Sequence, residues 1–194
     1  MTLKETAPPD VARLPLAELR DFLRMGRGFA DDTAQDPVLE ICLRGAMRAI
    51  EARLSMALLE RDHVWTFYLW RGCGRLGLPV APVGSLAEIR IVNAAAEVTV
   101  LSPASYQLGN DDAGAFVNMV SGSFPYLNSG ARVEIDLTAG FGEWAQVPAD
   151  LQQAWLRLAG QFYDHRNGSD TQGLPLAVLA LIEPYLPRRT GARR

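Results

Sequence analysis

Residues 132–139 read RVEIDLTA, and the alternation of apolar and polar side chains along them predicts a β-strand with one buried face. Val133, Ile135 and Leu137 would face a core, while the charged and hydroxyl side chains between them would face solvent. This strand closes a longer region, residues 58–143, in which turn residues recur every several positions. The pattern therefore predicts that this region is an inserted, antiparallel β-rich subdomain.

Other segments of the region carry the same period of two. In the first of them, one strand face is formed by four apolar or aromatic positions, namely His63, Trp65, Phe67 and Leu69. The remaining strand candidates are residues 88–92, 98–101 and 116–120.

Helical periodicity precedes the β-rich region. Pro15 suits the first turn of a short amphipathic helix, whose apolar stripe ends at Gly26 and Gly28. Asp36 followed by Pro37 then predicts the start of a long helix. Its buried face would consist of the apolar residues that recur at steps of three or four, namely Leu39, Leu43, Met47, Ile50 and Leu54.

Helical periodicity returns at Pro148 and continues to about residue 166, and a short helix near residues 176–183 ends before two prolines. The predicted fold class is therefore α+β, a helical body of about four helices with an inserted β-rich subdomain. The body would comprise residues 14–57 and 144–185. A flexible N-terminal arm, residues 1–13, and a flexible basic C-terminal tail, residues 186–194, would flank it.

Composition indicates an ordinary soluble globular protein. The 194 residues are 48% hydrophobic and 21% charged, which suits one domain with its own core and argues against disorder. No stretch approaches the roughly 20 apolar residues of a membrane-spanning helix. The first residues also lack the apolar segment of a secretory signal, so we expect no membrane partner and assembly in the cytoplasm.

Charge is distributed unevenly along the chain. The last seven residues hold four arginines and no acid, whereas the remainder has 15 basic and 22 acidic residues. An acidic body thus carries a basic end, and such tails dock on acidic partners or polyanions. A disordered end that merely aids solubility remains an alternative.

Few residues are suited to catalysis or to metal binding. His63 and His165 are the only histidines, and a place in a strand and at a helix C-terminus accounts for them. The acid clusters near Asp31 and near Asp111 lack the spacing of a calcium loop, so solvated loops explain them better. Cys73 lies between arginines that would stabilise a thiolate, but a turn position is the simpler interpretation. We therefore expect no catalytic residue, no metal site and no cofactor.

Several weak motifs gain weight from their order along the chain. Each is short, yet together they run in register from about residue 14 to residue 185. The motifs are LAELR at 16–20, DPVLE at 36–40, LPVAPV at 78–83 with the strand candidate after it, SPASY at 102–106, AGFG at 139–142, VPADL at 147–151, QFYDHR at 161–166 and PY at 184–185.

In these motifs the chain resembles the head-tail connector, or adaptor, proteins of long-tailed phages and gene transfer agents. The resemblance implies a structural protein rather than an enzyme, assembled as a ring of twelve copies on the portal vertex. The ring would extend the DNA channel, without binding DNA specifically, and provide the platform for the next tail-joining component, a stopper or tail terminator. It also implies a particle location at the head-tail junction.

The resemblance further assigns portal binding to the C-terminal segment. The residues concerned are Leu186, Pro187, Arg188, Arg189, Thr190, Gly191, Ala192, Arg193 and Arg194. A ring also needs side-to-side contacts, for which Trp70, Phe124 and Trp144 are candidates as exposed apolar residues beyond the needs of one core.

Two other functions remain open at this stage. One is a small-molecule hydrolase or binding protein with a pocket between the β-rich subdomain and the helices. The other is a nucleic-acid-binding module that acts through the basic tail, with an affinity that falls as salt rises.

Overall fold

The computed structural model describes residues 1–25, 35–70, 74–111, 114–165 and 173–186. The chain forms two compact units, each built from two separate stretches of sequence. The sheet unit comprises Met1–Pro8 and Ser55–Phe141, and the helical unit comprises Pro9–Leu54 and Gly142–Arg194. The α+β class predicted from the sequence is confirmed.

The sheet unit contains two antiparallel sheets. The larger has the strand order β1-β2-β8-β4-β5, and the smaller has the order β3-β7-β6. The strands are β1 (Thr2–Glu5), β2 (Arg61–Phe67), β3 (Arg75–Gly77), β4 (Val83–Val92), β5 (Val98–Val100), β6 (Tyr106–Asp111), β7 (Gly114–Met119) and β8 (Arg132–Ala139).

Strand β8 is the RVEIDLTA segment and occupies the middle of the larger sheet, paired with β2 on one side and β4 on the other. Its side chains alternate between buried and half-buried along the whole strand, as its sequence predicts. Val133 and Ile135 are fully buried, and they join Phe67 and Trp65 of β2 in the main core of the unit. This alternation gives the sheet one apolar and one polar face.

The N-terminus differs from the prediction of a flexible arm over residues 1–13. Strand β1 pairs with β2, and the carboxylate of Glu5 accepts a hydrogen bond from Arg61 Nε at 2.9 Å. Val11–Arg13 then forms one turn of 3₁₀ helix, capped by Asp10. The first residues are ordered because β2, a distant part of the chain, supplies hydrogen-bond partners that local periodicity does not reveal.

The other strands agree with the prediction only in part. Strand β4 begins five residues earlier than the predicted segment 88–92, and β3 and β6 were not predicted. Asn110 and Asp111 are the last two residues of β6, although the sequence favours a loop near Asp111. Leu69 lies beyond the end of β2 and is 70% exposed, so it does not share that strand's buried face.

The helical unit is built on two long helices. Its helices are α1 (Leu16–Phe22), α2 (Asp36–Leu54), α3 (Ala149–Asp164) and α4 (Leu176–Ile182). The five residues predicted for the buried face of α2 are at most 2% exposed. Trp155 of α3 is fully buried, and its Nε1 donates to the main-chain oxygen of Leu43 at 2.8 Å. This hydrogen bond joins α2 to α3 inside the apolar contact.

Candidate assembly surfaces

Two of the predicted interface residues form a stacked pair in the sheet unit. The rings of Trp70 and Phe124 lie parallel within 6°, with their centroids 4.3 Å apart. Trp70 also meets Phe67 edge to face at 5.2 Å, and both members of the pair are half-buried against the core. Trp70 Nε1 is buried, and the residues that the structure describes offer it no hydrogen-bond acceptor. The pair is thus less exposed than predicted, because each ring covers the other.

The exposed side chains in this region are the sequence neighbours of the pair. Tyr68 is 65% exposed, Leu69 is 70% exposed and Tyr126 is 86% exposed. We call these three residues the exposed apolar set. The sequence did not indicate these three residues as interface candidates, although Tyr68 and Leu69 directly follow the end of β2.

The third predicted interface residue, Trp144, lies in the helical unit. Its ring meets that of the buried Trp155 edge to face, at 5.6 Å between centroids. Its main-chain oxygen accepts a hydrogen bond from Gln152 Nε2 at 2.7 Å. Trp144 is half-buried, so part of its apolar surface is already used within its own unit. A role for Trp70, Phe124 or Trp144 between subunits stays a prediction.

The predicted portal-binding segment begins directly after Tyr185, a residue that is hydrogen-bonded within the helical unit. After α4, Glu183–Tyr185 forms one turn of 3₁₀ helix, and Tyr185 donates its hydroxyl hydrogen bond to Asp150 Oδ1 at 2.8 Å. Asp150 lies in the first turn of α3. Leu186, the next residue, is half-buried, whereas residues 187–194 lie outside the described part of the chain. The structure therefore locates the point from which the basic segment begins.

This contact has a measurable pH signature. Burial, followed by the hydrogen bond and the charge of Asp150, raises the pKa of Tyr185 to about 12, from an ordinary value of about 10. The pKa of Tyr185 is higher in the folded protein than in the unfolded chain. Its contact with Asp150 therefore contributes fully to stability below the unfolded pKa, and this contribution is lost as the pH rises through the folded pKa.

We expect Tyr185→Phe to lower the free energy of unfolding by about 1 kcal/mol at pH 7. The difference between variant and unsubstituted protein should shrink above the ordinary tyrosine pKa of about 10. Urea unfolding at several pH values, from neutral to strongly alkaline, measures it. A difference that stays constant across this range would contradict the assignment.

The polar face of the larger sheet carries an ion-pair network. Arg90 contacts Asp136 through two hydrogen bonds of 2.6 and 3.0 Å, and it also reaches Glu88 at 3.1 Å and Glu134 at 3.3 Å. Glu134 accepts a further hydrogen bond from Arg132 Nε at 2.7 Å, and this bond holds the pKa of Glu134 below its ordinary value. Because acids and arginines alternate within contact distance, this face is not an uncompensated charged patch.

His63 lies beside two acids in the sheet unit. His63 is buried, with Nδ1 3.0 Å from the main-chain oxygen of Arg61. A depression of about 310 Å³ is lined by His63, Asp62 and Asp136, among others. Asp62 there accepts from Thr138 Oγ1 at 2.7 Å, and Asp136 is held by an arginine of the ion-pair network. Both carboxylates are therefore hydrogen-bonded to neighbouring side chains of the sheet unit.

His165 is the exposed residue that caps the C-terminus of α3, and its main-chain N–H donates to the oxygen of Gln161 at 2.9 Å. Asp111 pairs with Arg75, whereas Cys73 and the acids at 31, 32 and 112 lie outside the described residues. Across the described ranges, no group of three or more histidine, cysteine, aspartate or glutamate side chains is arranged to hold a metal ion.

A groove of about 760 Å³ runs along the helical unit. Its lining is mostly apolar, with Arg53 and Gln161 as the polar side chains among residues of α2, α3, α4 and the segment before α4. Neither side chain is a nucleophile or a general base near neutral pH. The described helices also include none that is both long enough and apolar enough to cross a membrane.

Three solved structures with a similar fold come from gene transfer agent (GTA) particles. A chain in the neck of an empty GTA particle, computed with C6 symmetry, has a TM-score of 0.91 and 38% sequence identity, with 100% of both chains covered. A chain in the virion of a native gene transfer agent (GTA) particle has a TM-score of 0.87 and 38% identity, covering 100% of this chain and 99% of that chain. A chain in the neck of a native GTA particle, computed with C12 symmetry, has a TM-score of 0.85 and 35% identity over 100% of both chains. No family model and no curated protein matches the sequence.

These similarities extend over the full length of the chain at 35–38% identity, so they concern the whole fold rather than one motif. They define the class, which is a structural component of a virus-like particle. The chain belongs to the family of neck proteins of gene transfer agent particles. Its location is accordingly the head-tail junction of such a particle, as the sequence predicted.

Proposed function

We propose that this neck protein is the adaptor that joins the portal to the tail and performs no catalysis. The observation that carries the proposal is the full-length likeness to chains of GTA necks, with a TM-score of 0.91 at 38% identity. Copies of the chain form a closed ring at the portal vertex, and the ring extends the DNA channel. On its far side the ring receives the next tail-joining component, a stopper or tail terminator.

The C12 symmetry used for one related neck supports a ring of twelve copies. Such a ring repeats one contact between two different surfaces of neighbouring copies. Trp70, Phe124 and Trp144 are candidates for that contact, together with the exposed apolar set, which lies near the first two residues in the sequence. A channel wall must let DNA pass without holding it, and an excess of acids over bases outside the last seven residues suits that requirement.

Portal binding is assigned in this proposal to residues 186–194. The four arginines of this segment provide planar, charge-assisted hydrogen bonds to acidic groups on a partner. The contact between Tyr185 and Asp150 supports the assignment, because it fixes the start of the segment on the helical unit.

Deletion of residues 188–194 is the test of this assignment. We expect the shortened protein to melt within about 2 °C of the full chain, because the deleted residues are a short terminal segment beyond the last helical turn that the structure describes. We also expect it to be absent from the vertex when it is mixed with portal-bearing particles. Electron microscopy of the particles and sedimentation of bound protein measure the attachment.

Two variants of full length separate charge from length. Replacing the four arginines with glutamine should abolish attachment. Replacing them with lysine should weaken it only in part, since lysine keeps the positive charge but lacks the planar, two-pronged hydrogen-bond donor of the guanidinium. Normal attachment of the shortened protein would contradict portal docking by the tail. Loss of salt-dependent DNA affinity with attachment unchanged would instead favour the nucleic-acid-binding function.

A further inference from the structure

The larger sheet ends in two strands that are each hydrogen-bonded on one side. β1 pairs with β2 at one end, and β5 pairs with β4 at the other. Within the ranges that the structure describes, no strand lies beyond either of them. The sheet therefore has two edges, which belong to different strands and lie at opposite ends of the same strand order.

The hydrogen bonds of β5 show which main-chain groups point away from the sheet. Glu97, just before the strand, accepts from the N–H of Asn93 at 3.0 Å, and the N–H of Leu101, just after it, donates to Ile89 at 2.9 Å. Alternate residues of an antiparallel strand direct their N–H and C=O groups to opposite sides. Val98 and Val100 consequently direct theirs away from β4.

The same reasoning applies to β1. The N–H of Thr6 donates to the main-chain oxygen of Asp62 at 2.8 Å, and Thr6 continues the register in which Lys4 lies opposite Val64. Leu3, which is one residue out of phase with these positions, directs its N–H and C=O away from β2.

The β5 edge has only one of the features that protect an edge strand from pairing, which is its short length. Its three residues, Val98, Thr99 and Val100, include no charge and no proline, and the two valines are 55% and 53% exposed. Natural edges are usually protected by a very short strand, lysine, proline or a bulge. An edge that is β-branched, uncharged and open suits a strand that gains a partner on assembly.

We propose that the β5 edge of one copy pairs with the β1 edge of the next copy, so that the larger sheet continues from subunit to subunit around the ring. The inference rests on the ring of the proposed function. A cyclic assembly needs two different, mutually complementary surfaces on every copy, and these two edges meet that requirement. Lys4 of β1 and Glu97 beside β5 add opposite charges at the two edges.

The test removes one outward N–H without removing a hydrogen bond inside the subunit. Val100→Pro does this, because proline is tolerated on an edge strand where its nitrogen faces solvent. We expect the variant to keep its melting temperature and to enter rings on portal-bearing particles at least about tenfold less than the unsubstituted protein. Leu3→Pro makes the same change at the opposite edge and should have the same effect.

Val100→Thr is the matched control. It keeps the N–H and nearly the same shape, so it should assemble normally if main-chain pairing drives the contact. Normal ring entry by Val100→Pro and Leu3→Pro would overturn the inference. Equal loss with Val100→Thr would also overturn it, because the side chain rather than the main chain would then make the contact.

Cysteine pairs supply a direct readout of which edges meet. In a chain whose Cys42 and Cys73 are replaced with alanine, Leu3→Cys together with Val100→Cys should give a ladder of disulfide-linked oligomers on oxidation, while each single variant should give none. Dimers from Val100→Cys alone would indicate pairing of two β5 edges about a two-fold axis and would overturn the inference. Complete rings that fail to attach to the portal would contradict the proposed function and leave the edge pairing intact.

Discussion

Replacement of Trp155 with alanine is expected to lower the free energy of unfolding of the helical unit by about 3–5 kcal/mol. Trp155 is fully buried and is among the largest such side chains in the chain. The change would empty the space between α2 and α3, remove the ring that Trp144 packs against, and delete the hydrogen bond to Leu43. Chemical denaturation followed by far-ultraviolet circular dichroism measures the loss of helical structure.

Two further variants divide that effect into its parts. Trp155→Phe keeps most of the apolar volume and loses the hydrogen bond, so it should cost less than the alanine variant. Trp144→Ala removes the half-buried partner ring and should cost about 1–2 kcal/mol. If Trp155→Ala were no more destabilising than Trp144→Ala, the packing of α2 against α3 would not be organised around this side chain.

The second large effect is expected at Gly140, which follows β8. Its φ of +135° is a conformation that other residues rarely adopt, and a Cβ there would lie 2.4 Å from the Cα and N atoms of Glu60. These are main-chain atoms, so no side-chain rotation relieves the overlap. Gly140→Ala should therefore lower the free energy of unfolding of the sheet unit by about 3 kcal/mol or more.

Gly77 of β3 is the matched control, since a Cβ added there meets nothing within 4 Å. Gly77→Ala should change stability by less than about 1 kcal/mol, and the lower entropy of its unfolded chain favours a gain. Thermal unfolding of both variants under the same conditions makes the comparison. Similar melting temperatures for the two would show that Glu60 does not pack against Gly140 as described.

The features predicted well from sequence are those that one segment encodes by itself. Strand β8 was predicted from the alternation of its own residues, and α2 from Asp36, Pro37 and the apolar stripe behind them. Strands β1 and β3 depend instead on partners that are distant in sequence, and they are only four and three residues long. Strand β6 does not alternate regularly between buried and exposed positions, so it shows no period of two. Propensity also misled, because Gly109 and the polar residues after it favour a turn although they lie in β6.

The candidate surfaces were harder to predict than the fold. Trp70 and Phe124 are more than fifty positions apart, and no local pattern shows that their rings stack. Because they are apolar residues beyond the needs of one core, the sequence predicted that both are exposed. The exposed residues are instead their neighbours Tyr68, Leu69 and Tyr126. Edge strands are equally hidden from sequence, since whether a strand is central or terminal depends on the order in which strands pair.

If residues 186–194 bind the portal as proposed, the hydrogen bond between Tyr185 and Asp150 also limits how far away the portal surface can be. It fixes the position of Leu186, and the eight residues from there to Arg194 extend at most about 26–29 Å when fully stretched. If the segment binds the portal as proposed, its acidic site must lie within this main-chain length of Leu186, extended by the reach of one arginine side chain. Under that proposal, covalent geometry sets an upper bound on the distance between the two proteins.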